Sequence, residues 1–354
     1  MAIRIHLIRT RYPHWGSYAS LNRFSQYIDH KEYDLDVQVV SDSDEDFPIQ
    51  NRVVRERLRE FVQKRGMPWY KLSDLTAEIK ALHKYCRRRF DIIHYMDGEH
   101  SAQYLPWLFG WSSNFGPKIV ATFHQHPELL DSLLRKDVVA NLDYVTVVSP
   151  EQVPYFRELV APDRVCSVPL GIDAAYFRPA SKPKEEGAFR CITVGHYLRD
   201  FKAVREVAEK LSGDSRIEFC VVSSTAAEVE GLPNVTVYSG IDDARLLELY
   251  QQSHILFLPL LQATANNSLL EGIACELPVV STYLPSVKAY LPGKEAILIK
   301  DNDPEQFADA ILHLVHNPWE RRYMGREARK RAEELDWRNI APQYEAIYSK
   351  LTGS

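Results

Sequence analysis

Residues His254 to Thr282, HILFLPLLQATANNSLLEGIACELPVVST, set an apolar run, a small-polar turn and a carboxylate in an order that suits phosphate and polyol binding. His254–Leu260 reads as a strand, Gln262–Asn267 as a turn, and a helix opens near Ser268, with a second strand from Pro278 to Ser281. A helix start leaves unpaired backbone N–H groups, and these with the dipole favour an anion such as a phosphate. Glu271 lies one turn inside the helix, where a carboxylate can accept hydrogen bonds from sugar hydroxyls. Phosphate and polyol held by neighbouring groups of one element is the pairing a nucleotide needs.

The segment ATANNSLLEGIACELPVV resembles the donor-binding signature of the GT-B glycosyltransferases of family 4. There, a Glu, seven residues and a second Glu precede a small-residue helix and a Pro-Val-Val strand. Glu271 matches the second Glu, Ala263 stands where the first is expected, and Glu276 stands where the family usually has Gly. The segment RCITVGHYLRDFKAV is similar to a variant of the family's phosphate loop, with Gly195 present, His196 in the usual Arg place, and Arg199 and Lys202 further on. The resemblance gives Arg199 and Lys202 the leaving diphosphate, because fixed cations aimed at developing negative charge are a main source of rate in such sites. It gives the donor Gly195, Asn267, Ser268, Leu269 and Glu271 as well, while Gln262, Thr264 and Asn266, in the turn that departs from the family pattern, can replace the missing carboxylate as neutral hydrogen-bonding groups for the donor. An exposed helix start carrying Arg and Lys is otherwise an ordinary solvated face.

KIVATFHQHPE resembles the family strand that ends in Val-x-Thr-x-His, which makes His124 a contact to the donor sugar or the reacting centre. Such a position, the carboxyl end of a parallel strand, is where open α/β sheets bind ligands. His124 and His126 also invite a metal reading, but residues one apart point to opposite sides of a strand and no third ligand stands at ligand spacing. Asp97 and Glu99 in DIIHYMDGEHS stand at another strand end, either to bind acceptor hydroxyls or as a helix N-cap region. Gly16 and Ser17 follow the first strand, where glycine lets backbone approach donor phosphate or acceptor, or simply makes a turn. The Asp pairs 34/36, 42/44 and 301/303 fall away from strand ends, and no metal is expected on them. The catalytic set implied is His124, Arg199 and Glu271. The reaction implied is transfer from a UDP- or GDP-linked sugar to an acceptor hydroxyl with retention, without metal or other cofactor. A phosphorylase, an epimerase or a non-catalytic nucleotide-sugar binder would share much of this pattern.

These residues need parallel strands to carry them. Apolar runs at Ile3–Ile8, Val37–Val40, Ile92–Tyr95, Ile119–Phe123, Val145–Val148 and Val165–Val168 alternate with helical patterns, and the alternation restarts at Cys191. Runs so uniformly apolar predict buried parallel strands joined by crossover helices. The fold class expected is α/β, with two Rossmann-like doubly wound domains that the resemblance arranges about a central cleft in a GT-B fold. The expected domains are 1–177 and 188–336, joined by the Pro- and charge-rich Arg178–Gly187, with 337–354 returning to the first domain by resemblance. VPLGIDAAYFRP, just before that linker, resembles the family's closing segment of the first domain.

At 354 residues and 45% hydrophobic content, the chain can bury two cores. A net charge of -5 argues against a dedicated nucleic-acid binder. Five scattered cysteines without a C-x-x-C pair suit structural thiols in a reducing compartment, and the N-terminus has no export-signal core. A cytoplasmic protein is expected. Arg52–Arg65 combines a basic face with Val53, Val54, Leu58, Phe61 and Val62, so it can dock on an anionic inner-membrane face or pack its apolar side on a sheet.

Overall fold

The computed structural model describes residues 2–13, 15–110, 116–181 and 187–353. Half of the expected linker, residues 182–186, lies outside the described residues. The chain forms two compact units, one of Met1–Trp15, Phe24–Pro169 and Ile340–Ser354, the other of Gly16–Arg23 and Leu170–Asn339.

The sheet of the first unit contains β1 (Ile3–Arg11), β2 (Tyr33–Ser41), β3 (Ile92–Tyr95), β4 (Lys118–Phe123), β5 (Tyr144–Val147) and β6 (Val165–Ser167). Its order is β2-β1-β3-β4-β5-β6, with every pair parallel. The sheet of the second unit contains β7 (Phe189–Val194), β8 (Ile217–Val222), β9 (Val235–Tyr238), β10 (Ile255–Leu258), β11 (Val279–Thr282) and β12 (Ala296–Ile299). Its order, β9-β8-β7-β10-β11-β12, is the 3-2-1-4-5-6 arrangement of doubly wound nucleotide-binding sheets. In each sheet the chain starts near the middle and reverses direction once. The loops leaving the two strands at that reversal diverge and leave room for a ligand.

Central strands are buried on both faces, as their apolar runs require: β3, β4 and β10 expose almost nothing. The edges depart from that expectation. Val37 and Val39 of β2 are exposed, and β9 is largely half-buried, because an edge strand lacks a neighbour and its helix cover is incomplete. The helix Arg52–Arg65 also divides its apolar residues. Val62 is buried and Leu58 packs on the core, while Val53, Val54 and Phe61 face outward.

A buried carboxylate of the first unit, Glu78, has a structural task. Glu78, on the helix Leu72–Arg87, accepts the hydroxyls of Tyr70 and Tyr95 and the backbone N–H groups of Gln103, Tyr104 and Leu105. Burial raises its pKa, and those donors oppose the rise. The segment 103–105 is thereby pinned to the core. From Ile340 the last helix, Trp337–Thr352, belongs to the first unit, where the Tyr348 hydroxyl meets His94 Nδ1 at 2.7 Å beneath the sheet.

Candidate functional site

In the second unit, β7 and β10 are neighbours at the reversal point, and the loops after them carry the polar residues singled out above. Gly195 follows β7 with φ +96°, and a Cβ built there would lie 2.7 Å from Arg199 Nη2. Only glycine combines that backbone with so close an approach. Leu198, at φ 56°, adds a second left-handed residue, so the loop curls back over the Arg199 guanidinium. Arg199 donates from Nε to the Val194 carbonyl at 2.8 Å and from Nη1 to the Tyr197 carbonyl at 2.9 Å. Its Nη2 donates to Asn266 Oδ1 at 3.2 Å and to Ser268 Oγ at 3.0 Å. Desolvation lowers the guanidinium pKa to about 10, which leaves it charged at neutral pH. Asp200 anchors the loop from below: it caps the helix Phe201–Leu211 through the Ala203 N–H and accepts Asn302 Nδ2 at 2.7 Å.

The helix predicted near Ser268 runs Asn267–Ala274 and is capped by Asn266, whose side chain accepts the Leu269 N–H. Asn266 thus serves both the helix start and Arg199. Ser268 Oγ donates to the Val194 carbonyl, which ties the same helix to the end of β7. Glu271 is 6% exposed, and the Tyr250 hydroxyl donates to its Oε2 at 2.9 Å. Burial raises its pKa to about 7, the Tyr250 hydrogen bond opposes that, Asp243 adds to it, and Arg199 opposes it. Thr264 is buried in the turn, and Asn267 Oδ1 is buried without a hydrogen-bond partner among the described residues. Ala263 is buried too, with its carbonyl held by Ser286 Oγ at 2.7 Å.

Lys202 does not join this group. Its side chain is 84% exposed on the helix Phe201–Leu211 and pairs with Glu206 at 3.7 Å. Tyr250 and Asp243 had no sequence signal: an aromatic at helical spacing and an acid in an Asp-Asp start look like core and cap residues. Gly16 and Ser17, expected with the first domain, fall in the second unit. The Ser17 N–H donates to Asp243 Oδ2 at 2.8 Å, and a Cβ on Gly16 would lie 1.7 Å from Asp243 Oδ1. The glycine therefore permits contact with the start of the helix Asp243–Gln252, whose far end carries Tyr250. Stacking of Tyr18 on Tyr176 and the Arg23–Asp173 ion pair fix the rest of the segment.

The helix end explains the second departure from the family pattern. Glu276 N–H bonds the Ile273 carbonyl and Leu277 N–H the Gly272 carbonyl, while Glu276 itself sits at φ 62°. This is the Schellman arrangement, whose left-handed position favours glycine. Glu276→Gly is expected to stabilise the chain by about 1 kcal/mol, since a side chain costs roughly that in this conformation. The check is a higher urea midpoint at unchanged slope.

In the first unit, Asp97 stands at the end of β3 in the N-cap position but does not cap. Its carboxylate accepts the Thr10 N–H at 2.8 Å and the Tyr12 hydroxyl at 3.2 Å, holding the end of β1. Glu99 Oε1 accepts the His124 N–H at 2.9 Å, and Oε2 is buried without a hydrogen-bond partner among the described residues. Burial pushes the Glu99 carboxyl upward. His124 Nε2 lies 2.7 Å from the Met96 carbonyl and must carry the proton there. Asp97, Glu99 and His124 therefore meet at the carboxyl ends of β3 and β4, whereas His126 turns away to Glu128. No cluster able to hold a metal occurs among the described residues. The Asp pairs are spent locally: Asp34 on Arg88, Asp36 on Lys84, Asp42 on Lys71, Asp44 on Arg59, and Asp303 as a helix cap.

Residues 189–317 match the family described as Glycosyl transferases group 1. The chain is 26% identical over 250 residues to a D-inositol 3-phosphate glycosyltransferase of Corynebacterium diphtheriae, covering 61% of this chain and 58% of that protein. It therefore spans little more than half the length of that relative. Among solved structures it is similar to the sucrose-phosphate synthase of Thermosynechococcus elongatus, with a TM-score of 0.69, 17% identity and 99% of both chains covered. It is also similar to the Anabaena protein HepE in complex with UDP, with a TM-score of 0.67, 11% identity, and coverage of 98% of this chain and 100% of that one. The order of the parallel strands and the match over the second sheet lead to one conclusion: residues 189–317 resemble the group 1 glycosyl transferases, and the chain that carries them has the GT-B fold of the structures it matches.

Proposed function

We propose that this protein transfers a sugar from a nucleotide-sugar donor to an acceptor hydroxyl, with retention of anomeric configuration and without a metal. The observation that carries this reading is the Arg199 guanidinium, held between the end of β7 and the Asn266-capped helix start, with Glu271 one turn further in. In that role the nucleotide diphosphate meets Arg199 and the N–H groups of Asn267 and Ser268, the Leu269 N–H being taken by the Asn266 cap, and Glu271 takes ribose hydroxyls. The UDP bound by the similar Anabaena protein supports a nucleotide-sugar donor, which we expect to be UDP- or GDP-linked. Glu99 and His124 take the acceptor and reacting-centre roles; that Glu99 Oε2 has no hydrogen-bond partner among the described residues supports a hydroxyl as its partner. Asp97, fully engaged by β1, is a positioning residue for that strand end.

The test is incubation with a panel of UDP- and GDP-sugars, with and without simple acceptor glycosides, read by nucleotide release and by the anomeric proton of the product. An inverted product overturns the mechanism, and loss of turnover in EDTA overturns metal independence. Ala263 in place of a carboxylate keeps a second reading open, a nucleotide-sugar binder without turnover. Thermal stabilisation by a donor that is neither hydrolysed nor transferred would establish it.

No helix among the described residues is long and apolar enough to cross a membrane. Exposed Val53, Val54 and Phe61 beside the arginines of the same helix support peripheral contact with an anionic membrane at the cytoplasmic side. Sedimentation with phosphatidylglycerol vesicles, but not with phosphatidylcholine vesicles, is the expected result.

A further inference from the structure

The two oxygens of the Glu271 carboxylate have unequal surroundings. Oε2 accepts the Tyr250 hydroxyl at 2.9 Å, while the same hydroxyl lies 3.4 Å from the Ser268 carbonyl, so its proton is held by the carboxylate. Oε1 has no hydrogen-bond partner among the described residues and is not one of the unpaired oxygens sealed from solvent, so accessible surface remains at this atom. Tyr250 itself is wholly buried, its ring edge-on to that of the equally buried Phe177. It lies in the helix Asp243–Gln252, and its carbonyl accepts the Ser253 N–H at 3.1 Å. The hydroxyl therefore reaches Glu271 from a different helix and from a fixed position. One carboxylate oxygen is directed into the packing, and the other is left for a ligand.

A carboxylate with both oxygens open can bridge the vicinal hydroxyls of a ribose, taking one on each oxygen. Here Oε2 is turned away from solvent. We infer that Tyr250 is a positioning residue of the donor site: by holding Oε2 it presents Oε1 alone, so that Glu271 accepts one ribose hydroxyl and not two. Tyr250 has this role only if Glu271 binds the donor as proposed above, since it reaches the ligand solely through the carboxylate. The same bond sets the ionisation of Glu271. Burial pushes its pKa up to about 7, the Tyr250 hydroxyl opposes the rise, Asp243 adds to it, and Arg199 opposes it. Arg329, on the helix Pro318–Glu334 packed against the Glu271 helix, meets only the far end of it, at the Ala274 carbonyl 2.7 Å away. Removing the Tyr250 hydroxyl takes a donor from the charged form and so raises the pKa further.

The experiment measures binding of UDP-glucose and GDP-glucose by calorimetry at a series of pH values on either side of neutrality, using the full chain, Tyr250→Phe, Glu271→Ala and the double variant. Affinity is expected to rise through about pH 7 as Glu271 ionises, because an ionised acceptor makes the stronger bond. Tyr250→Phe should move that midpoint up by about one pH unit and weaken binding at neutral pH about tenfold, roughly the worth of a hydrogen bond to a charged group. In the Glu271→Ala background the same change should cost less than about twofold. UDP and GDP are then compared with their 2′-deoxy and 3′-deoxy forms. One deletion should weaken binding about tenfold in wild type and have no effect in Glu271→Ala, while the other acts alike in both proteins. This comparison needs no change at Tyr250, so it tests the single presented oxygen even if Tyr250→Phe unfolds. An unmoved midpoint in Tyr250→Phe, or an equal loss with and without Glu271, would make Tyr250 a packing residue and overturn the inference. Two deletions that both depend on Glu271 would overturn it as well. If Glu271→Ala binds as wild type does, the donor role of Glu271 itself fails and the role of Tyr250 falls with it.

Discussion

Arg199→Met is expected to lower kcat by about 10²–10³, the loss typical when one fixed donor to developing negative charge is removed. The guanidinium is already held by four acceptors, so it needs no reorganisation when charge appears on a leaving phosphate. Part of the effect will be structural, because the Val194 and Tyr197 carbonyls each lose a donor. Arg199→Lys separates the two: a lysine can restore a charge but not the fork that spans Asn266 and Ser268. Lys202→Ala, by contrast, should alter kcat less than threefold, since an exposed cation paired at 3.7 Å on a helix surface contributes little. Steady-state rates with the donor found in the panel, beside thermal unfolding of each variant, provide the check. Equal losses at Arg199 and Lys202 would show that the diphosphate does not lie on the Asn266 side of the loop.

Glu271→Gln is expected to weaken nucleotide-sugar binding at least tenfold and yet to stabilise the protein above neutral pH. Burial raises the folded pKa of Glu271 to about 7, above the ordinary 4.5. A raised acid leaves stability intact below the unfolded pKa and removes it as pH rises through the folded pKa. The wild type should therefore lose stability between about pH 4.5 and pH 7, by up to about 3 kcal/mol from this group. Glutamine keeps an acceptor for the Tyr250 hydroxyl and has no charge to desolvate, so its advantage over wild type should be near zero at pH 4.5 and largest at pH 8. Urea unfolding across that range checks the slope, and calorimetry with the nucleotide checks binding. An advantage independent of pH would mean that Glu271 ionises as an ordinary carboxylate. The combination expected, tighter folding with weaker binding, is the usual mark of a carboxylate retained for function against its own desolvation.

Much of this architecture was legible because its signals are local. Uniform apolar runs for central strands, a small-polar turn before a helix, and Glu271 one turn inside it each rest on a few adjacent residues. The strand order agrees with that reading, and Asn266, Ser268 and Arg199 do converge. What the residues could not display were pairings distant in sequence. Lys202 has the spacing of a phosphate ligand, but the helix Phe201–Leu211 turns it to solvent because Phe201, Ala203 and Val204 take the buried face. Asp97 occupies an N-cap position, yet its carboxylate reaches back 87 residues to Thr10, since β1 and β3 are adjacent. Tyr250, the partner of Glu271, lies on a different helix and has no motif to announce it.

By itself, then, the sequence determined the α/β class, the positions of the strands and the helix that carries Glu271. Periodicity and capping act over one or two turns and need no partner. Only the tertiary structure decided which cations meet that helix, that Gly16 belongs with Asp243, and that Glu271 is buried enough to hold its proton near neutrality. These depend on sheet order and desolvation, which arise only when distant segments pack and exclude water.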